Sequence, residues 1–177
     1  MPYEVIIPSG VKVELLSDGA QVTISGKLGS TTKTINLELI KPKLEEGKLT
    51  LKEYGNAKLA QKAALATQAL SSELTSAVAG VENGIERKMK IVYAHFPMSI
   101  EIKGDLFMAK NVFGEKKPRI AKIVGTTKVE VKGQDVTVKG VDPYDVGQTA
   151  ANIHRLSMVR KKDSRVFQDG IYFVAEE

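Results

Sequence analysis

The chain has 177 residues, 42% of them hydrophobic and 27% charged, with no cysteine and a net charge of +5. These values fit an ordered, soluble protein of one large or two small domains, and they exclude disulfides, thiolate metal sites and cysteine nucleophiles. No apolar run is long enough to cross a bilayer, and MPYEVIIPSG lacks the basic-then-apolar start of a signal peptide, so a cytosolic setting is expected. The charge is unevenly placed. Residues 1–82 hold nine lysines, no arginine and nine carboxylates, while residues 83–177 hold 17 cations, 12 carboxylates and all five arginines. Arginine suits bidentate contact with phosphate, so the second half is the one expected to meet a polyanion.

Along the chain, Val11–Leu15 alternates apolar with charged residues, Ser17-Asp18-Gly19 offers a turn, and Gln21–Ser25 alternates again. That is a hairpin with one buried face. Ile35, Leu37 and Leu39 form another stripe, a loop is expected over 41–48 around Pro42 and Gly47, and a strand restarts at Leu49 and Leu51. From Ala57 to Ala79 the apolar residues Leu59, Ala63, Ala66, Leu70, Leu74 and Ala77 recur at helical spacing. Asn56 is the expected cap and Gly80 the expected stop. The segment GVENGIERK, residues 80–88, reads as a linker.

Strand patterns then resume at 89–96, 98–103, 106–112, 121–124, 127–132 and 136–139, with tight turns at Gly104-Asp105 and Gly133-Gln134. A second helix is expected from about Tyr144 to Met158, turning Val146, Ala150, Ile153 and Leu156 or Ser157 inward. Shifted by 87 residues, LTLKEYGNAKLAQKAALA (49–66) falls on VTVKGVDPYDVGQTAANI (136–153) with five identities. Because element order and periodicity agree as well, the expected fold class is α+β. It comprises two tandem similar domains from an internal duplication, each an antiparallel sheet with one helix packed against it. The domains are 1–82, near-neutral, and 83–177, basic.

Catalytic chemistry is missing. His95 and His154 are the only histidines, 59 residues apart and without metal-ligand spacing. His95 reads as a packed strand residue and His154 as a helix-surface residue. There is no phosphate-cradling glycine loop and no nucleophile elbow. Asp142 and Asp145 flank Pro143, which suits turn and N-cap chemistry better than an acid/base pair. No metal and no cofactor is expected.

Two basic segments remain. In NVFGEKKPR (111–119), Gly114 permits a sharp bend and Pro118 stiffens the chain, so Lys116, Lys117 and Arg119 are expected to project from a preordered loop. The second segment, Arg155 to Arg165, carries Arg155, Arg160, Lys161, Lys162 and Arg165, five cations in 11 residues. It is pinned between the second helix and a final apolar run at 171–174. Phe167 and Tyr172 are interleaved there, expected mainly to anchor the strand.

RVFQDGIYF (165–173), VYAHFPMSI (92–100), NVFGEKKPR (111–119) and GQTAANIHR (147–155), within a pattern that covers essentially the whole chain, resemble the large ribosomal subunit protein L-six family in its archaeal and eukaryotic form. The resemblance implies a structural protein of the cytoplasmic ribosome, present in one copy, and not an enzyme. It implies binding to large-subunit ribosomal RNA, mainly through the C-terminal domain, near the stalk base and the sarcin–ricin loop, beside neighbouring ribosomal proteins. The implied contacts are Lys116, Lys117, Arg119, Arg155, Arg160, Lys161, Lys162 and Arg165. Bacterial members carry a YKGKG-like segment where this chain has VRKKDSRVFQDG, so the cations persist without the glycines. The alternative from the residues alone is a module whose basic face meets an acidic protein.

Overall fold

The period-two alternation of both halves becomes antiparallel hairpins in the computed structural model, which describes residues 3–16, 19–45, 47–54, 59–160, 163 and 165–174. The chain divides into two units, Met1–Gly84 and Ile85–Glu177. Unit 1 holds β1 (Tyr3–Ile6), β2 (Lys12–Leu16), β3 (Gln21–Ser25), β4 (Ser30–Thr34), β5 (Ile40–Glu45), β6 (Lys48–Glu53) and α1 (Ala60–Asn83). Its antiparallel layer consists of two sheets, ordered β1-β6-β5 and β2-β3-β4. Unit 2 holds β7 (Ile85–Val92), β8 (Ser99–Lys103), β9 (Leu106–Lys110), β10 (Arg119–Lys122), β11 (Lys128–Lys132), β12 (Asp135–Gly140), α2 (Pro143–Ser157) and β13 (Gly170–Phe173). Its sheets run β10-β9-β8 and β11-β12-β7-β13.

The duplication holds at the level of register. Lys41 faces Lys52 and Pro42 faces Leu51 in the β5–β6 hairpin; 87 residues later, Lys128 faces Lys139 and Val129 faces Val138 in β11–β12. Strand β2 maps by the same shift onto β8. The copies part company after the helix begins. Helix α1 has 24 residues, whereas α2 has 15 and is followed by the added strand β13.

Several expectations shift in unit 1. No linker occupies 80–88: α1 runs through the buried Gly80 to Asn83, and β7 begins at Ile85. Gly84, at φ 75°, makes the turn and bonds back to the Gly80 carbonyl. Position 80 does not stop the helix; its buried glycine sits among the core-facing residues. The expected loop at 41–48 is largely strand β5, where Pro42 is tolerated because β5 is an edge strand. The stripe Ile35-Leu37-Leu39 lies past β4, with Leu37 and Leu39 in a turn. The strand itself, STTKT, buries Thr31 and Lys33, so an apolar alternation does not find it. Lys33 is held by Glu73 of α1, Nζ to Oε1 at 3.1 Å. Asn56, Ser17 and Asp18 lie outside the described residues.

In unit 2 the core joins Met89 and Ile91 of β7, Phe107 and Ala109 of β9, Val136 and Val138 of β12, Ile171 of β13, and Val146, Ala150 and Ile153 of α2. Asp142 caps α2 by accepting from the Tyr144 amide at 2.8 Å, with Pro143 in the first turn. The start of α2 closely approaches the turn between β10 and β11 at Gly125, where φ is 60° and a Cβ would collide with the Asp145 carboxylate.

Polar side chains then fasten α2 to both sheets of unit 2. The Thr149 hydroxyl accepts from the Val124 amide at 3.0 Å, and Asn152 Nδ2 donates to the Lys122 carbonyl at 3.0 Å. On the other side, Ser157 Oγ accepts from the Ile171 amide at 2.8 Å and donates to the His154 carbonyl at 2.9 Å. His154 Nδ1 donates to the Ile171 carbonyl at 2.7 Å, which fixes the proton on that nitrogen in the neutral ring. These bonds satisfy strand-edge groups that otherwise face the helix unpaired. Ser157→Ala leaves the buried Ile171 amide without its acceptor. Unfolding in urea is expected to show a loss of about 1–3 kcal/mol, and an unchanged midpoint contradicts the role of this bond.

Candidate nucleic-acid interface

Three loops that are distant in sequence converge in unit 2. They are 93–98 after β7, 111–118 after β9, and the described residues between α2 and β13, namely 158–160, 163 and 165–169. Loop 93–98 is tied to the third by the Ala94 amide, which donates to the buried Asp169 carboxylate at 2.8 Å. It is tied to the second by Asn111 Nδ2, which donates to the Pro97 carbonyl at 3.0 Å. The Phe96 ring lies against Gly114, 3.2 Å from where a Cβ would sit. Backbone geometry supports the arrangement: Asn111, Phe113 and Gly114 all take positive φ, at 60°, 53° and 77°. For a non-glycine residue that region is costly unless surrounding contacts enforce it.

The expected contact residues divide into distinct environments. Lys116 and Lys117 stand exposed at the loop tip and make no ion pair among the described residues. Arg119 does not project from that loop, contrary to expectation. It opens β10, and its side chain is only 23% exposed. Nε and Nη2 donate to the Glu115 carboxylate at 2.9 and 2.6 Å, while Nη1 donates to the carbonyls of Leu156 and Met158 at 2.8 and 3.2 Å. The guanidinium also lies over the Phe113 ring, 5.4 Å from its centroid. Hydrogen bonding to Glu115 holds its pKa above the ordinary arginine value, against the opposing effect of burial. Arg119 therefore buckles the 111–118 loop to the end of α2.

Arg155, exposed in the last turn of α2, and Arg160, exposed just beyond it, line a shallow groove with Glu115, Arg119, Ile120 and Leu156. A second groove adjoins it, lined by Ile120, Ala121, Lys122, Asn152, Arg155, Leu156 and Arg160. Arg165 stands apart in a turn, its amide donating to Asp163 Oδ1 at 2.9 Å. Lys161 and Lys162 lie outside the described residues. Ile120, Lys122 and Asn152 escaped the sequence reading. The available signal was parity, since buried Ala121 and Ile123 turn Ile120 and Lys122 outward.

The aromatic and histidine positions also resolve. His95 is exposed in the bend after β7 rather than packed in a strand. His154 is half-buried, with its ring against Tyr172 and Phe173 at centroid distances of 5.9 and 5.4 Å. Phe167 is half-buried, while Tyr172 remains partly exposed on edge strand β13. Among the described residues no cluster of three or more histidines and carboxylates could hold a metal, and no helix is long and apolar enough to cross a membrane.

The scaffold is thus a duplicated α+β fold that carries exposed cations on braced loops. A family model described as Ribosomal protein L6 matches residues 96–170, which include all three converging loops but for the start of the first. The large ribosomal subunit protein uL6 of Methanosarcina mazei is 45% identical over 168 residues, covering 95% of this chain and 93% of its own. Proteins of the same name from Methanocella arvoryzae and Aeropyrum pernix are 40% and 38% identical, covering 98% and 97% of this chain and 96% and 92% of theirs. The chain belongs to the ribosomal protein L6 family, whose members are structural proteins and not enzymes.

The brace predicts a stability effect distinct from any binding effect. Lysine cannot reproduce the forked donation of Arg119 to one carboxylate and two carbonyls. Arg119→Lys is expected to destabilise unit 2 by about 2 kcal/mol in urea unfolding. A destabilisation no larger than that of an exposed lysine variant such as Lys117→Ala contradicts the brace.

Proposed function

We propose that this chain is a structural component of the large ribosomal subunit, working in the cytoplasm, that docks on large-subunit ribosomal RNA through unit 2. The observation that carries this reading is the convergence of three braced loops around exposed cations. Lys116 and Lys117 stand at one loop tip, and Arg155 and Arg160 line the adjoining groove. Side chains held on rigid loops lose little conformational freedom on docking, so their charge is available for phosphate at low entropic cost. Phosphate contacts supply most of the affinity and fix orientation, and a folded RNA is recognised through its contour and its unpaired nucleotides.

Arg165, Lys161 and Lys162 extend the cationic segment in sequence and contribute further phosphate contacts in this reading. Arg119 contributes by position. In keeping with the family resemblance, the docking site lies near the stalk base and the sarcin–ricin loop, where one copy per ribosome supports the region that receives translation factors. Unit 1, with no arginine and balanced charge through residue 82, meets neighbouring ribosomal proteins more than RNA.

Salt titration tests the electrostatic core of the proposal. Log affinity for an archaeal large-subunit ribosomal RNA transcript is expected to fall steeply and linearly with log salt. Lys116→Ala/Lys117→Ala is expected to flatten that slope by roughly 1.4–1.8 units, at about 0.7–0.9 for each phosphate left without its cation. An unchanged slope in the double variant removes the loop from the interface. Salt-sensitive capture of an acidic protein, with no RNA affinity, replaces the reading with a protein-interaction module.

A further inference from the structure

We infer that the groove between β10 and the end of α2 receives a single unpaired nucleotide of the bound RNA, with its base face on Ile120 and its phosphates on Arg155 and Arg160. This rests on the RNA-docking reading and specifies what one part of that surface holds.

The argument starts from Ile120. It is 57% exposed on an edge strand, at the point where the two grooves share their lining with Arg155 and Arg160. A phosphate needs only the cations; it has no use for an exposed isoleucine beside them. An apolar side chain that shares a groove with two arginines matches a ligand with a flat, weakly hydrated face and an anionic backbone. A nucleotide has both. A base within a duplex presents only its edge to a protein, so the face that meets Ile120 belongs to a nucleotide outside the helix.

Backbone direction adds to this. The Ile123 amide bonds to Asp105 of the β9 side, so residues 119, 121 and 123 turn their hydrogen-bonding groups toward β9. Residues 120, 122 and 124 turn theirs outward. Asn152 takes the Lys122 carbonyl and Thr149 takes the Val124 amide. The register leaves the Ile120 amide and carbonyl facing the groove, opposite the last turn of α2. Asn152 on the same wall spends one Nδ2 donor on the Lys122 carbonyl and accepts from Gln148 at 2.9 Å. The groove thus offers stacking area, charge and one peptide edge.

The test uses the full chain, an archaeal large-subunit ribosomal RNA transcript, filter binding across a salt series, and chemical probing of the RNA at base and ribose. Ile120→Thr, which keeps the branched shape of a strand residue, is expected to weaken binding by roughly 5- to 10-fold with an unchanged salt slope. Ile120→Leu is expected to retain affinity, and Arg155→Ala to flatten the slope by roughly 0.7–0.9. Nucleotides protected by the native chain and released by Ile120→Thr are expected to be ones that are reactive, hence unpaired, in the free RNA. Full affinity in Ile120→Thr alongside a flattened slope in Arg155→Ala overturns the nucleotide groove and leaves the RNA reading standing. Release of nucleotides confined to a duplex also overturns it. Absence of RNA binding by the native chain overturns both readings.

Discussion

The structure of unit 2 depends on how the end of α2 is satisfied. A helix leaves its last carbonyls without intrahelical donors, and in this fold that end lies against two sheets and a loop. Arg119 supplies donors to the Leu156 and Met158 carbonyls, and Ser157 supplies one to the carbonyl of His154. Cations at this end also complement the helix dipole, and Arg155 adds to that in the last turn. Glu115 takes the rest of Arg119's donation and keeps the guanidinium in place. One residue therefore completes the helix, orders the loop that carries Lys116 and Lys117, and forms part of the groove lined by Arg155 and Arg160.

The duplicated architecture explains why this device sits in one copy only. The hairpins β5–β6 and β11–β12 correspond in register at a constant shift, and both copies place a helix on their sheets. In unit 1 the helix continues to Asn83 and ends on a glycine turn. In unit 2 the corresponding residues leave the helix after Ser157, form the cationic segment, and return as β13 on the edge of the β7 sheet. The shorter helix presents a terminus that requires capping, and it leaves chain length between α2 and β13. The arginines concentrate where the two copies differ in this way.

Much of this was legible in the sequence, for reasons that differ by element. Helix α2 announced itself through Asp142-Pro143 and the spacing of Val146, Ala150 and Ile153, because capping and core burial are local and periodic. The β11–β12 hairpin was visible through Gly133-Gln134 and alternating valines. Strand β4 was not, because it buries Thr31 and Lys33 and draws on an ion pair with a residue 40 positions away. The interface was legible as charge and illegible as geometry. Lys116 and Arg119 look alike in NVFGEKKPR, yet one is exposed at a loop tip and the other is held between a carboxylate and two carbonyls. Which cation is held inward depends on where α2 ends, a tertiary fact. Ile120 was hidden for a related reason: every residue of IAKIV but the lysine is apolar, and only the sheet parity reveals which one faces out.

The central claim is that the loops are set by internal bonds before any partner arrives. Amide hydrogen exchange on the free chain tests it most directly. The amides of Ala94, Glu115 and Ile171, bonded respectively to Asp169, Val112 and Ser157, are predicted to exchange far more slowly than in an unstructured peptide. Exchange of these three at the unstructured rate in an otherwise folded unit 2 contradicts the claim and makes ordering a consequence of assembly.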